Sequence, residues 1–447
     1  MGKKIIVAGA GHGGITAAAL LAKAGFDVTV FERGEKGKLG YDWTDIFDPK
    51  ALDVVGCPRP SEDKFEWKID MTFFGPHTDD EHKIRQRVPN DPQQMEIKME
   101  RRDIYELLID FAEKSGVKFV YGVNIIGPLM KGERVAGIKT DKGFFLGDMV
   151  IDAAGAESPL RTQLPDALGI QKHPLWGEKF YVYRAFYDLP VDPETVEDKY
   201  KVMLLPEEEH IGIGWVATED TFSDLLIGRM DPFDEAEAEH AAEEFRRTNP
   251  QLGRTRLRGG QMTLIPVRQP LSILVADGYA AIGDSAFMTV PIIGSGIGNA
   301  IKNSKLLAEA IIDAEADDYS ARALWTYQKA YYKEMGAGIA PLAAVKLLLT
   351  RISRSQLDFA IDKGILTHHE MTITANHTSL WKFVNFDWKL PVRGIRLLGD
   401  MDLTKKGIRV VKDVMKIIRV CKKMPDTYER AEVIAWAEQY DKIFTAK

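Results

Sequence analysis

Four glycines and one glutamate near the start of the chain have the types and spacing that bind a dinucleotide. The apolar run Lys3–Ala8 predicts a buried parallel strand. The loop Gly9–Gly14 follows it with the pattern G-x-G-x-x-G, and the alanine-rich stretch Ile15–Lys23 predicts a helix. A second predicted strand, Asp27–Phe31, ends immediately before Glu32. These residues predict a β-α-β unit with a phosphate-binding loop.

Each of these residues has a physical role in such a site. Gly9 allows the tight turn, Gly11 lets the backbone approach a pyrophosphate, and Gly14 lets the helix pack on the strand. The helix N-terminus offers free N–H groups to the diphosphate, and Glu32 can accept hydrogen bonds from the ribose hydroxyls. A glycine turn without a ligand is the alternative, but strand, helix and carboxylate all occupy the required places. The expected contacts in this region are Gly9, Gly11, His12, Gly13, Gly14, Glu32 and Arg33.

A second group of such residues lies far downstream and bears on whether the dinucleotide is NAD or FAD. A predicted strand, Tyr279–Ile282, is followed by Gly283-Asp284, by Pro291 and by the loop Gly294–Gly296. A helix is predicted over Gly296–Ala310. Its N-terminus would stabilise negative charge on a ligand beside the loop.

These segments resemble the fingerprints of the glutathione-reductase-type FAD proteins. Over residues 1–310 the chain is similar to the FAD-dependent superfamily that joins class A aromatic monooxygenases, flavin halogenases and geranylgeranyl reductases. The resemblance implies FAD as the cofactor and places Arg101 beside it, with Arg102 as the competing candidate. The further FAD contacts that it implies are Gly155, Gly283, Asp284, Pro291, Gly294, Ser295, Gly296 and Ile297.

The resemblance also implies an α/β fold with three parts. A glutathione-reductase-type, Rossmann-like FAD-binding domain is interleaved with a β-rich substrate domain, and a helical C-terminal region completes the chain. We expect the FAD-binding domain at 1–40, 96–168 and 266–330, the substrate-binding domain at 41–95 and 169–265, and the helical region at 331–447. Residues 40–100 carry scattered aromatic, proline and histidine residues and are expected to be irregular.

One departure from the class A monooxygenase pattern favours a reductase. The stretch Asp152–Arg161 keeps the Gly, Ser and Arg of G-A-D-G-x-x-S-x-x-R, but Ala154 replaces the Asp that touches both FAD and the nicotinamide donor. We therefore expect an FAD-dependent oxidoreductase that reduces C=C bonds of an apolar, isoprenoid- or lipid-like substrate with hydride from reduced flavin N5. The electron donor is expected to be ferredoxin-like or NAD(P)H, with a ferredoxin-like or other donor favoured over a dedicated nicotinamide site. An NAD(P)H-dependent flavin hydroxylase is the alternative, and a non-redox prenyl-lipid binding protein is a third, less favoured interpretation.

Reduction of a C=C bond also needs a proton, which a protein acid or water must supply. The loop after Glu32 contains three candidates for that acid, although an ordinary structural loop is the more common explanation of such residues. His12 could sense flavin charge, but a solvent-facing turn histidine is the more ordinary interpretation. His368 and His369 stand apart from other residues at ligand spacing, so no metal site is expected. The candidate acids are Tyr41, Asp42 and Asp45.

Composition narrows the possible classes of protein and partner. The 447 residues include 59 Lys plus Arg and 66 Asp plus Glu, which gives a net charge of −7 and argues against a nucleic-acid binder. The two cysteines, Cys57 and Cys421, exclude a disulfide framework and a redox-active CxxC pair. No secretory signal or long apolar run is visible, so a cytoplasmic protein is expected.

The stretch 404–423 is basic, although the chain as a whole carries a net negative charge. It has eight Lys or Arg against one Asp, and its basic and apolar residues fall on opposite faces of a helix. A packed helix with a solvated polar face would explain this pattern. Peripheral contact with an anionic membrane surface is the alternative, and it would suit a lipid substrate.

Overall fold

The computed structural model describes residues 2–77, 79–367 and 396–445. The strands are β1 (Lys4–Ala8), β2 (Asp27–Glu32), β3 (Thr44–Phe47), β4 (Glu66–Trp67), β5 (Met71–Phe74), β6 (Lys83–Gln86), β7 (Ile97–Glu100), β8 (Lys118–Tyr121), β9 (Ile125–Lys131), β10 (Arg134–Thr140), β11 (Gly143–Leu146), β12 (Met149–Asp152), β13 (Lys179–Asp188), β14 (Tyr200–Leu204), β15 (Gly212–Thr218), β16 (Phe222–Arg229), β17 (Arg256–Pro266), β18 (Val275–Ala276) and β19 (Tyr279–Ala281). The helices are α1 (His12–Lys23), α2 (Lys50–Val55), α3 (Arg101–Lys114), α4 (Glu235–Thr248), α5 (Ile297–Asp313), α6 (Ala321–Tyr331), α7 (Ala337–Leu349), α8 (Arg354–Asp362), α9 (Met401–Cys421) and α10 (Arg430–Thr445).

A six-stranded sheet carries the opening glycine loop. Its order is β18-β19-β12-β1-β2-β8, and all pairs are parallel except β18 with β19. The four central strands therefore end at one edge, with Ala8, Glu32, Asp152 and Ala281 as their last residues. In open parallel sheets, ligands bind in the crevice outside this carboxyl edge. The predicted β-α-β unit is confirmed, although α1 begins at His12 rather than at Ile15.

A seven-stranded sheet of order β17-β13-β16-β15-β14-β5-β6 forms the second large layer. Helix α4 covers one of its faces, where Tyr183 and Leu225 pack against Phe245. On the other face, Val182 and Phe186 pack with Trp43, which reaches them from the segment after the six-stranded sheet. Because side chains alternate along a strand, β13 contributes to both of these cores.

Two three-stranded sheets accompany the larger layers. One has the order β11-β10-β9 and the other the order β3-β7-β4. The second of these, together with β5, β6 and α2, lies within residues 40–100. The prediction that this region is irregular is therefore wrong. Its strands have two to four residues each, too short to show the alternation by which strands are recognised in sequence.

Helices α6–α10 form the C-terminal part of the described chain. A π-helical turn, Tyr332–Gly336, joins α6 to α7. Among the described residues, no single helix is both long and apolar enough to cross a membrane; Ala321–Leu349 and Arg354–Asp362 pass that test only as a pair, and they meet at 112°. The predicted fold class, an α/β nucleotide domain with a β-rich layer and a helical C-terminal region, is confirmed. The exact domain boundaries stay a prediction.

Candidate functional site

The glycine loop is built as a phosphate cradle. The backbone of Gly9 has φ +90°, and its N–H donates to the Phe31 carbonyl at 2.8 Å. A Cβ at Gly14 would lie 2.5 Å from the Ala153 Cβ, so only glycine lets α1 pack this close to the end of β12. Helix α1 has no side-chain cap and no acidic residue in its first turn. Its N-terminal amides are therefore free to bind an anion.

Glu32 lies at the end of β2, next to this loop. Its Oε2 accepts from the Ala10 N–H at 2.8 Å, and its Oε1 accepts from the Gly34 N–H at 2.7 Å. The two bonds fix the carboxylate at the rim of the crevice and leave it further lone pairs for ribose hydroxyls. The side chain of Arg33 points to solvent.

His12 is not the solvent-facing turn residue that its place in a glycine loop suggests. Its ring packs against Tyr105 in a tilted arrangement with the centroids 4.6 Å apart, and its Nε2 is buried without a hydrogen-bond partner among the described residues. Burial and the nearby Arg101 lower the pKa of His12 to about 4, although Asp45 opposes them. The imidazole is therefore neutral at physiological pH.

Arg101 lies at the centre of the loop side of the crevice. It donates to both oxygens of Asp45, at 2.5 and 2.7 Å, and its guanidinium lies 5.3 Å from the Tyr41 ring centroid and 5.6 Å from that of Trp43. Arg102 is exposed, so of the two arginines the structure brings Arg101 to the crevice.

Two of the three candidate acids are bound by arginine side chains. Burial raises the pKa of Asp45, but the charge and hydrogen bonds of Arg101 outweigh it and hold that pKa below its usual value. Asp42 is exposed and accepts from Arg258 Nη1 at 2.8 Å and from the Gly259 N–H at 3.2 Å. Both arrangements speak against proton donation. Tyr41 remains, with its ring stacked on Trp43 at 4.9 Å.

The second motif lies at the opposite side of the same edge. Asp284 accepts from Thr289 Oγ1 at 2.6 Å, and burial raises its pKa. The N–H of Gly155 donates to Ser285 Oγ at 2.8 Å, which ties the end of β12 to this loop. Space is open around the Gly155 Cα, since a Cβ there would meet nothing within 4 Å.

The Gly294–Gly296 loop ends at the N-terminus of α5. Gly296 is the N-cap residue and provides no side-chain cap, and the first turn of α5 has no acidic residue. The buried Nδ2 of Asn299, in that first turn, has no hydrogen-bond partner among the described residues. Pro291 is buried, whereas Ser295 and Ile297 are half-exposed at the crevice end of the loop.

These observations test whether a flavin dinucleotide suits the crevice. Two uncapped helix N-termini suit a diphosphate and an anionic ring, a fixed carboxylate suits a ribose, and two buried nitrogens lack partners. The residues present therefore fit FAD. They would hold it through the glycine loop, Glu32, Arg101, Asp284 and the N-terminus of α5.

Sequence reasoning missed several residues that support this site. Arg161 is fully buried and donates to the carbonyls of Ala156, Lys172 and Ser285, and it stacks on Phe287 at 4.4 Å. Its place in the Asp152–Arg161 motif was visible, but not its contacts with a loop more than a hundred residues away. Tyr105, one helical turn after Arg101, was detectable by that spacing alone.

Within the described ranges, no group of three His, Cys, Asp or Glu side chains is placed to hold a metal ion. His368 and His369 lie outside those ranges.

Comparisons with known proteins agree with this geometry. The family model described as an NAD(P)-binding Rossmann-like domain matches residues 7–55. The chain is 22% identical to the digeranylgeranylglycerophospholipid reductase of Sulfolobus acidocaldarius over 99% of its own length and 97% of that protein.

Two solved structures share the fold. A geranylgeranyl bacteriochlorophyll reductase-like protein from Thermoplasma acidophilum superposes with a TM-score of 0.72 at 20% identity, over 90% of this chain and 99% of that one. The p-nitrophenol 4-monooxygenase of Pseudomonas putida superposes with a TM-score of 0.62 at 18% identity, over 84% and 98%. The resemblance predicted from the three motifs is confirmed: the chain has the fold of the FAD-dependent superfamily that includes geranylgeranyl reductases and class A monooxygenases.

Proposed function

We propose that the chain is an FAD-dependent oxidoreductase that reduces C=C bonds of an apolar, isoprenoid-like substrate. FAD, when bound, supplies a hydride at its N5. The likeness to a digeranylgeranylglycerophospholipid reductase along nearly the whole of both chains supports this reaction class. The likeness to a monooxygenase structure supports the alternative, a flavin hydroxylase, over a smaller part of the chain.

The observation that carries the substrate class is the aromatic face of the seven-stranded sheet. Trp43, Val182, Phe186 and Leu226 form a buried cluster on it, and half-buried Phe180 and Ile265 extend the cluster. Ile265 lies 3.7 Å from the position of a Cβ on Gly294, so this face borders the glycine loop before α5. An apolar chain bound between them would lose contact with water, which favours its binding.

One buried ion pair interrupts this apolar face. Arg184 donates to Asp224 Oδ1 at 2.9 Å and to Thr44 Oγ1 at 2.7 Å, and its guanidinium lies 5.2 Å from the Trp215 ring centroid. The guanidinium of Arg184 is therefore paired within the protein. The face therefore offers an apolar substrate aromatic and aliphatic contacts, and it presents no unpaired charge from Arg184.

We also propose a low-potential, ferredoxin-like electron donor. Ala154 stands where class A monooxygenases have the Asp that touches FAD and the nicotinamide donor. Its N–H bonds to Asp152 Oδ1 at 3.1 Å, and its methyl group supplies no acceptor. This position beside the glycine loop lacks the carboxylate that direct NAD(P)H use would need.

An anaerobic titration tests the donor and the reaction together. Purified protein is mixed in a stopped-flow instrument with NADH, with NADPH and with a reduced low-potential donor, and the flavin absorbance is followed. We expect only the low-potential donor to bleach it rapidly, and we expect a geranylgeranyl lipid to restore the colour. Rapid bleaching by NADPH that an aromatic ligand accelerates would instead establish the hydroxylase. Protein purified without flavin, and unable to take it up, would favour the lipid-binding alternative.

We further propose that α9 docks on an anionic membrane surface. Of the apolar residues predicted to share one face, Ile408, Val411 and Met415 are more than half exposed, whereas Ile418 and Val414 contact a small core cluster. This helix also exposes basic side chains over the same stretch of sequence as these three apolar residues. They are Lys405, Arg409, Lys412, Lys416 and Arg419.

A further inference from the structure

A second concave site lies at the end of the seven-stranded sheet. Its wall comes from the segment before β13, the ends of β16 and β17, and helix α7, with Phe444 of α10 at one side. The apolar part of the wall is Leu175, Trp176, Ile211, Met230, Leu347 and Phe444.

Arg268 provides an unusual buried charge in this wall. Its side chain is fully buried, yet neither Nη1 nor Nη2 has a hydrogen-bond acceptor among the described residues. Nη1 lies 3.2 Å from Glu178 Oε2, without the geometry of a hydrogen bond. A buried guanidinium normally has all its donors paired, because unpaired ones lose their hydration without compensation.

Lys346 brings a second buried cation to the same wall. It is 6% exposed, and its Nζ donates to the Gly177 carbonyl at 2.5 Å, which leaves two further donors on the ammonium group. Burial lowers the pKa of Lys346 to about 8, with Glu178 opposing and Arg268 and Arg351 adding to that shift. Together with the exposed Arg351, three cations and one carboxylate, Glu178, line this cavity. A second buried carboxylate, Asp441, interacts with Arg268 and Glu178 from outside the lining.

An apolar rim stands beside these charges. Leu175 to Glu178 form a tight turn in which Gly177 has φ +78°, and Glu178 Oε2 accepts from the Leu175 N–H at 2.8 Å. The turn holds Trp176 at its tip with 83% of its surface exposed. Because the turn keeps the Trp176 indole exposed, this ring can make an apolar contact with a ligand rather than with the core.

We propose that this cavity binds the anionic end of an amphipathic molecule. A phosphate or carboxylate group would accept from Arg268, Lys346 and Arg351, and the adjoining alkyl chain would lie on Trp176 and Ile211. None of the residues assigned to FAD lines the cavity, so the inference does not rest on the redox function. Arg268 nevertheless lies 4.4 Å from the ring centroid of Phe287, in the loop that follows Gly283-Asp284.

Isothermal titration calorimetry on the purified, full-length protein tests this site without turnover. The probes are dodecyl phosphate and dodecanoate below their micelle concentrations, inorganic phosphate, and uncharged dodecanol. We expect the two anionic amphiphiles to bind saturably and more tightly than inorganic phosphate or dodecanol. Equal affinity for inorganic phosphate would mean that free phosphate is the ligand, and equal affinity for dodecanol would mean that charge is not recognised; either result overturns the proposal.

Lys346→Met is the decisive variant, because it keeps the side-chain length and removes the charge. We expect it to weaken binding of both anionic amphiphiles about 10- to 100-fold, the range that loss of a charge-assisted hydrogen bond produces. Lys333→Met, on an exposed lysine at the start of the same helical segment, is the matched control and should bind normally. Arg351→Ala, at the exposed rim, gives a second measurement should Lys346→Met fail to fold. Unchanged affinity in both Lys346→Met and Arg351→Ala would refute the site.

Discussion

At the scale of single residues, the crevice is organised by one ion pair. Arg101 and Asp45 are each less than a fifth exposed, and Arg101 lies against the rings of Tyr41 and Trp43. A carboxylate in such a pair stays ionised over the physiological range. Asp45 therefore orients Arg101 toward the crevice, and a proton for the substrate has to come from elsewhere, from Tyr41 or from water.

Asp45→Asn should lower the free energy of unfolding by about 2–3 kcal/mol at pH 7, because a largely buried arginine loses its charged partner. The folded pKa of Asp45 is lowered, so this stabilisation is present above the unfolded pKa of about 3.9 and is lost as the pH falls through the folded value. Thermal melts at pH 7 and near pH 3 check this: the difference in melting temperature between Asp45→Asn and the unchanged protein should be smaller near pH 3.

The matched control is Asp53→Asn, which breaks the pair with Arg59 at a surface position where both side chains are about half exposed. Exposed pairs contribute about 1 kcal/mol or less. If the two variants lost equal stability, burial of the Arg101–Asp45 pair would have no energetic consequence, contrary to this argument.

His12 makes a second pH-dependent contribution. Its folded pKa of about 4 lies below the ordinary histidine value of 6.5, so folding favours the neutral ring. The resulting stability is complete above pH 6.5 and is lost as the pH falls toward 4. His12→Gln should flatten the dependence of the melting temperature on pH across this window. An unchanged slope in His12→Gln would show that His12 is solvated.

The glycine loop, Glu32, Arg101 and Asp284 could be placed from sequence because each follows or opens an element with a clear pattern. The burial of His12 could not be predicted from the sequence, because it depends on Tyr105 from another helix. The pairing of Asp42 with Arg258 was equally out of reach, since the two residues are 216 positions apart in the sequence. Local spacing predicts which residues line the carboxyl edge of the sheet. Long-range packing decides whether those residues are buried and which partners they have.

At the scale of elements, α9 differs from the other described helices in its exposed apolar and basic residues. Each basic residue near an anionic bilayer contributes about 1 kcal/mol, and burial of exposed apolar side chains adds to this. We expect the protein to sediment with vesicles of phosphatidylglycerol and phosphatidylcholine, to bind pure phosphatidylcholine weakly, and to be released by high salt.

The double variant Lys412→Glu/Lys416→Glu should reduce that vesicle binding at least tenfold, because it reverses two charges on the docking face. Lys139→Glu/Lys142→Glu, on exposed lysines at the β10–β11 hairpin, changes the net charge equally and should bind normally. Equal loss in both variants would mean that only the total charge of the protein matters.

Elements with long or strongly periodic patterns were recognisable in the sequence. Five of the six strands of the six-stranded sheet, all but the two-residue β18, and the amphipathic helices α3, α4 and α5 are of this kind. The strands between residues 44 and 100 were not, because each has few residues and gains its place from neighbours such as β14 and β7. Their pairing is tertiary information that no local window contains.

At the scale of the whole molecule, Arg161 connects three distant parts of the chain. It joins the segment after β12 to the Gly283–Phe287 loop and to Lys172, which leads toward the seven-stranded sheet. Ser158 and Tyr279 both donate to the buried Asp152, at 2.6 and 2.8 Å, and complete this junction. The motif that keeps the Ser and Arg of the monooxygenases thus acts here as a structural joint between the two loops that would hold FAD.

Arg161→Met should disturb this joint and thereby the cofactor site, although Arg161 itself need not touch the cofactor. Three carbonyls, two of them in buried hydrogen bonds, lose their donor, and each buried one costs about 1–3 kcal/mol when left unpaired. We expect free flavin fluorescence to rise at a lower temperature than in the unchanged protein, ahead of the loss of far-UV circular dichroism. Arg322→Met, at a residue whose side chain is 67% exposed, should release flavin and unfold as the unchanged protein does. If Arg161→Met retained flavin up to the normal unfolding temperature, the two loops would be held in place independently, and the junction would have no part in binding.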